Sequence, residues 1–146
     1  MKIMVISASS YMSPKFAEMI FAPRALCLNL VNGLVDRGHE VIFATSPDCP
    51  TKAKLFPGDR DLMELLLKTA NEPVKSLSHE RIFSAIKRDY EIDLITRALV
   101  FAQEEQVDIV HSYHKDMMHY FERLTKSVPV VYTLHDPIPA PGTLAY

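Results

Sequence analysis

Within its first 45 residues the chain passes from one apolar run to another through a stretch of helical spacing closed by a glycine. Met1–Ala8 (MKIMVISA) is apolar at nearly every position, the pattern of a strand buried on both faces of a parallel sheet. From Pro23, a residue suited to a first helical turn, Leu26, Leu30, Val31, Leu34 and Val35 recur at helical spacing. Arg37 stands in the last turn, where a cation complements the helix dipole, and Gly38 stands where a left-handed cap is expected. Val41–Thr45 is then a second short apolar strand. Strands joined across a helix in this way run parallel, so the opening commits the chain to a βαβ unit.

The alternation continues. Ser46–Arg60, with three prolines and a Pro57-Gly58 pair, reads as a surface loop. Asp61 is placed to cap a helix over Leu62–Ala70 with Leu62, Leu65 and Leu66 inward. Val74–Leu77 reads as a short edge strand. The longest helix opens at Ser78 and Arg81, and Phe83, Ile86, Tyr90, Leu94, Ala98 and Phe101 keep one face apolar. Val107–Tyr113 is the next strand. A helix over Asp116–Lys126 follows, with Met117, Phe121 and Leu124 facing the sheet, and Val128–Leu134 is the last strand. The expected fold is α/β: a three-layer α/β/α Rossmann-like sandwich with a mainly parallel sheet over residues 1–136. Residues 137–146, with three prolines counted from Pro137 and one glycine, read as a linker or tail.

Composition narrows the function classes. A length of 146 residues fits one domain with a real core, and a net charge of -2 gives no electrostatic footprint for nucleic acid. Cys27 and Cys49 form no CxxC and read as reduced thiols. The apolar opening is too short for a signal peptide, and no run approaches the roughly 20 apolar residues of a spanning helix. The expectation is a cytoplasmic protein with no transmembrane segment. Four glycines, no GxGxxG and no Walker motif argue against a dinucleotide or nucleoside-triphosphate site, and no cofactor is expected.

The strand Pro129-Val130-Val131-Tyr132-Thr133-Leu134 ends in His135-Asp136-Pro137. In open parallel sheets, ligands bind beyond the carboxyl ends of the strands. A neutral His135 there can donate to a sugar hydroxyl, Asp136 can orient it, and Pro137 holds Asp136 extended. The plain alternative is a histidine that caps its strand. His111, His114, His119 and His135 raise the question of a metal. No Cys or acidic partner recurs at a ligand spacing, alternation sends His111 and His114 to different faces, and no metal is expected. His114 reads as a wall of the crevice and His111 as a partly buried strand residue. Hydroxyls and amides of Ser9, Ser10 and Tyr11 can bind a sugar or phosphate, or form a simple polar turn. Lys15–Ala22 reads either as a short helix or as a flap over a groove. Gly38-His39-Glu40 is a mechanical connection.

Taken in order, KIMVIS, Arg37-Gly38-His39-Glu40-Val41, Val107-Asp108-Ile109-Val110-His111 and Val130-Val131-Tyr132-Thr133-Leu134-His135-Asp136 resemble the N-terminal half of glycosyltransferase family 4 enzymes. The resemblance implies a GT-B fold and a retaining transfer of a sugar from a nucleotide-sugar donor to a sugar or lipid-linked acceptor, without a catalytic metal. It implies that this half holds the acceptor, while an absent C-terminal domain holds most of the donor. Catalysis then falls to His135 and Asp136, and the acceptor to Ser9, Ser10, Tyr11, Tyr113 and His114. The family's Gly-Gly pair before the first helix has no counterpart in FAEMIFAPRALCLNL. The apolar Phe16–Phe21 segment either meets a lipid acceptor, which would suit a position at the inner face of a membrane, or packs against a second domain. Positive charge is not concentrated there to favour membrane docking. Two other readings of the same pattern are a non-catalytic sugar- or protein-binding domain and a flavodoxin-like reductase.

Overall fold

A computed structural model describes residues 1–72, 76–114, 121 and 126–133. Five strands, β1 (Lys2–Ile6), β2 (Glu40–Thr45), β3 (Lys54–Pro57), β4 (Ile109–Ser112) and β5 (Val130–Tyr132), form one sheet in the order β3-β2-β1-β4-β5. Every pairing is parallel. Three helices accompany it: α1 (Pro23–Asp36), α2 (Arg60–Ala70) and α3 (Leu77–Glu104). This is a three-layer α/β Rossmann-like fold. Its strand order is not the 2-1-3-4-5 of flavodoxin-like folds, which removes the structural ground for the reductase reading.

The layers follow from strand alternation. Ile3, Val5, Val41 and Phe43 point to one face and pack with Cys27 and Val31 of α1. Met4, Ile6, Ile42, Ala44 and Val110 point to the other and pack with Met63 and Leu66 of α2 and Tyr90, Leu94 and Ala98 of α3. Each fully buried aliphatic or aromatic side chain contributes roughly 1.5–3 kcal/mol, so both faces are needed to hold the central strand. Gly38 is in the left-handed region (φ 83°) and ends α1 as its position in the sequence suggested.

Several boundaries differ from the sequence reading. The Pro-rich stretch contains β3, an edge strand where Pro57 costs no central ladder bond. Asp59, not Asp61, caps α2 by accepting from the Leu62 N–H at 2.8 Å, so the helix starts at Arg60. That places Leu65 in solvent, with Met63 and Leu66 buried. Leu26 of α1 is likewise exposed, and Cys27 and Val31 carry its buried face. Ser76 caps α3 from the His79 N–H, so Leu77 is helical and not part of an edge strand. Of that expected strand, residues 73–75 lie outside the described residues, as does most of the expected helix over Asp116–Lys126. Phe121 is buried, as its inward placement requires. Lys15–Ala22 is not a regular helix: tight turns at Ser10–Met12 and Pro14–Phe16 bury Met12 and Phe16.

At the β3–α2 turn, a Cβ on Gly58 would come within 2.0 Å of the Tyr90 hydroxyl, so glycine is required by close approach.

Candidate functional site

The chain runs from β1 outward to β2 and β3, then crosses back to β4 and β5 on the other side. The order reverses between β1 and β4, and the carboxyl ends of these two strands flank the crevice where such sheets bind ligands. Ser7–Tyr11 leave β1 there, and Ser112–His114 leave β4. The Tyr113 N–H donates to the Ile6 carbonyl at 3.1 Å, which keeps the two exits side by side.

His114 joins them directly. Its Nε2 accepts a hydrogen bond from the Ala8 N–H at 2.7 Å. An accepting Nε2 carries no proton, so the ring is neutral and its proton sits on Nδ1. Burial, helped by the nearby positive charge of Lys87, pushes the His114 pKa down to about 4. The imidazole is therefore neutral through the physiological range.

Lys87 comes from α3, one turn before Tyr90. Its Nζ lies 2.5 Å from Glu91 Oε1 and 5.4 Å from the centre of the Tyr11 ring. Only 26% of the Lys87 side chain and 13% of the Glu91 side chain are exposed. Burial raises the Glu91 pKa against the opposing pull of Lys87. A half-buried ion pair with a cation–π contact thus stands against the β1 loop.

The loop itself is held by Arg24. Its guanidinium donates to the Tyr11 carbonyl from Nε at 2.9 Å and to the Phe16 carbonyl from Nη2 at 2.8 Å. Ser9 Oγ accepts from the Tyr11 N–H, and Ser13 Oγ donates to Asp48 at 2.8 Å. Ser9 and Ser10 are buried, while Tyr11 keeps exposed surface. Of the three expected loop contacts, Tyr11 is thus the one open to a ligand without rearrangement. The Ser10 hydroxyl is buried with no hydrogen-bond partner among the described residues.

Tyr113 goes the other way. It packs on the α1 side, its ring stacked on His111 with centroids 5.0 Å apart. His111 Nε2 is 2.6 Å from Thr133 Oγ1, and burial lowers the His111 pKa. Burial also raises the Tyr113 pKa to about 12, with the adjacent Cys27 adding to the effect. Cys27 is pushed up to about 12 and Cys49 to about 11, chiefly by burial, so both are free, inert thiols. The structure therefore brings Ser9, Ser10, Tyr11 and His114 together and sets Tyr113 apart, across the sheet.

His135 and Asp136 lie outside the described residues, as does His119. On their N-terminal side the Thr133 N–H donates to the Ser112 carbonyl at 3.0 Å, at the carboxyl end of β4. Among the described residues no three His, Cys, Asp or Glu side chains converge as metal ligands, and no helix is long and apolar enough to cross a membrane.

Sequence reasoning missed Lys87, Glu91 and Arg24, although each carried a signal. Lys87 and Glu91 interrupt the inward stripe of α3, and Lys before Glu is the less favourable order for a helix pair. Arg24 sits in the first turn of α1, where the dipole disfavours a cation. Charges placed against local preference have another duty.

A family model described as Glycosyltransferase Family 4 matches residues 25–146. No curated protein matches the chain.

Proposed function

The chain belongs to glycosyltransferase family 4, and we propose that it forms the acceptor-side domain of a retaining enzyme that moves a sugar from a nucleotide-sugar donor. The observation that carries this reading is the α3-side rim of the crevice. There a neutral His114 on the Ala8 N–H and a Lys87–Glu91 pair against Tyr11 converge where β1 and β4 end. Neutral donors and one screened cation suit a hydroxyl-bearing acceptor better than a bare anion, because Glu91 already offsets the charge of Lys87.

In this reading the donor's diphosphate is held mainly by a second domain outside these 146 residues. The bond from the sugar's anomeric carbon to the leaving phosphate oxygen breaks. The acceptor oxygen bonds to the same face of that carbon, and the acceptor's proton passes to the leaving phosphate. His135 donates a hydrogen bond to the transferring sugar, with Asp136 orienting it. Tyr11 and Lys87 contact the acceptor. His114 is a positioning residue that fixes the β1 loop through Ala8. Ser9 and Ser10 shape that loop, and Tyr113 supports it from behind. No metal takes part, and the reaction faces the cytoplasm.

The test is nucleotide release from uridine- and guanosine-diphosphate sugars by the full-length enzyme, with and without a cell extract supplying acceptors. Replacing His135→Ala should lower acceptor-dependent release by on the order of 10²-fold or more. Unchanged release in that variant removes His135 from the mechanism. Inversion at the anomeric carbon of the product, read by proton coupling, removes the retaining assignment.

A further inference from the structure

Beside the crevice a second cavity opens between the β1 loop and the α2–α3 hairpin. It has a volume of about 620 Å³, and its apolar lining comes from Tyr11, Phe16, Met19, Leu67, Ala70 and Phe83. That is the size range of a drug-sized ligand site. Tyr11 and Phe16 meet edge to face with centroids 5.6 Å apart, so the floor on the loop side is aromatic and preformed. The opposite wall is pinned by His79, whose Nε2 lies 2.6 Å from the Thr69 carbonyl and ties α3 to the end of α2. Glu18 and Glu80 also line it with Lys15, which leaves one net negative formal charge and favours a neutral occupant over an anion.

Tyr11 belongs to both places. One part of its surface lines this cavity, and its ring carries the Lys87 ammonium whose charge reaches His114. A ligand whose polar end lies at Lys87 therefore meets the Tyr11 ring, whose surface continues into this cavity. We propose that the acceptor carries an apolar portion, an alkyl chain or aromatic group, seated in this cavity while its hydroxyl end lies at the crevice. The inference rests on the acceptor-side reading above and adds the chemical class of the acceptor.

The probe pair is octyl and methyl β-D-glucopyranoside, below the micelle-forming concentration, titrated into the 15N-labelled chain. Each methylene taken out of water tightens binding about fourfold, so burying three of the extra seven gives roughly 60-fold. The expected result is that the octyl compound binds at least 20-fold tighter. Its added shifts should fall on the amides of Phe16, Met19, Leu67 and Phe83. Ala70→Trp, which fills the cavity, should abolish the preference. Met19→Glu changes a side chain already 49% exposed, and it should weaken octyl binding even if the tryptophan variant does not fold. Equal binding of the two glucosides, or octyl shifts confined to the exposed Ile20 and Leu26, overturns the proposal. The titration reads binding alone, so that result leaves transfer at the crevice standing. The crevice reading fails separately, if transfer is indifferent to Lys87.

Discussion

Among the described residues, the carboxyl edge of the sheet sets a histidine with a tyrosine on each face, with Tyr132 as a further tyrosine on the α3 side, and the two pairs have opposite characters. On the α1 side, His111 and Tyr113 stack on each other and close against Thr133 and Cys27. On the α3 side, His114 holds the β1 loop while Tyr11 keeps exposed surface beneath Lys87. The first pair uses its polar atoms on neighbours and is finished as structure. The second pair borders two openings, the crevice and the cavity. Residue type does not separate a supporting tyrosine from a ligand-facing one. The side of the sheet does.

The largest expected stability effect comes from His114. Its folded pKa lies near 4 and its ordinary value is 6.5, so the unfolded chain binds the proton first as pH falls. Stability is fully present above about pH 6.5, declines toward pH 4 by no more than about 3 kcal/mol, and then flattens. Urea melts between pH 4 and 8 measure this slope. His114→Asn retains an acceptor for the Ala8 N–H and should remove most of it. A slope that survives in His114→Asn and vanishes in His111→Asn would exchange the roles of the two faces.

A smaller effect is expected from Tyr113→Phe, which removes one hydroxyl from the closed α1-side network. It should cost about 1 kcal/mol of stability in the same melts. It should leave acceptor-dependent nucleotide release within about threefold, because that ring supports the loop without touching a ligand. A loss of release much larger than the loss of stability would bring Tyr113 into the site.

The fold was legible because it is written in periods. Two-sided apolar runs gave β1, β2 and β4, helical spacing gave α1 and α3, and Gly38 marked the first helix end. β3 was not legible, because an edge strand carrying Pro57 beside Gly58 has the same local signature as a loop. Asp59 and Asp61 are both competent caps, and only the geometry at Leu62 decides between them. For the site, the family resemblance placed Tyr113 and His114 together on the acceptor side, yet strand alternation divides them. It overlooked Lys87 because a lysine on a long helix ordinarily points to water. The position of Lys87 within the Phe83–Leu94 stripe was the signal to the contrary.

The most direct test of the contrast between the faces uses Lys87→Met with Glu91→Gln, made together. The single Lys87→Met change leaves Glu91 half-buried without its partner and should cost roughly 1–3 kcal/mol, whereas the double change keeps shape and cancels both charges. In the full-length enzyme the double variant should melt close to the parent and lose acceptor-dependent nucleotide release by on the order of 10²-fold. Release within threefold of the parent, or a loss no greater than that of Tyr113→Phe, would contradict the assignment of the α3 side as the acceptor face.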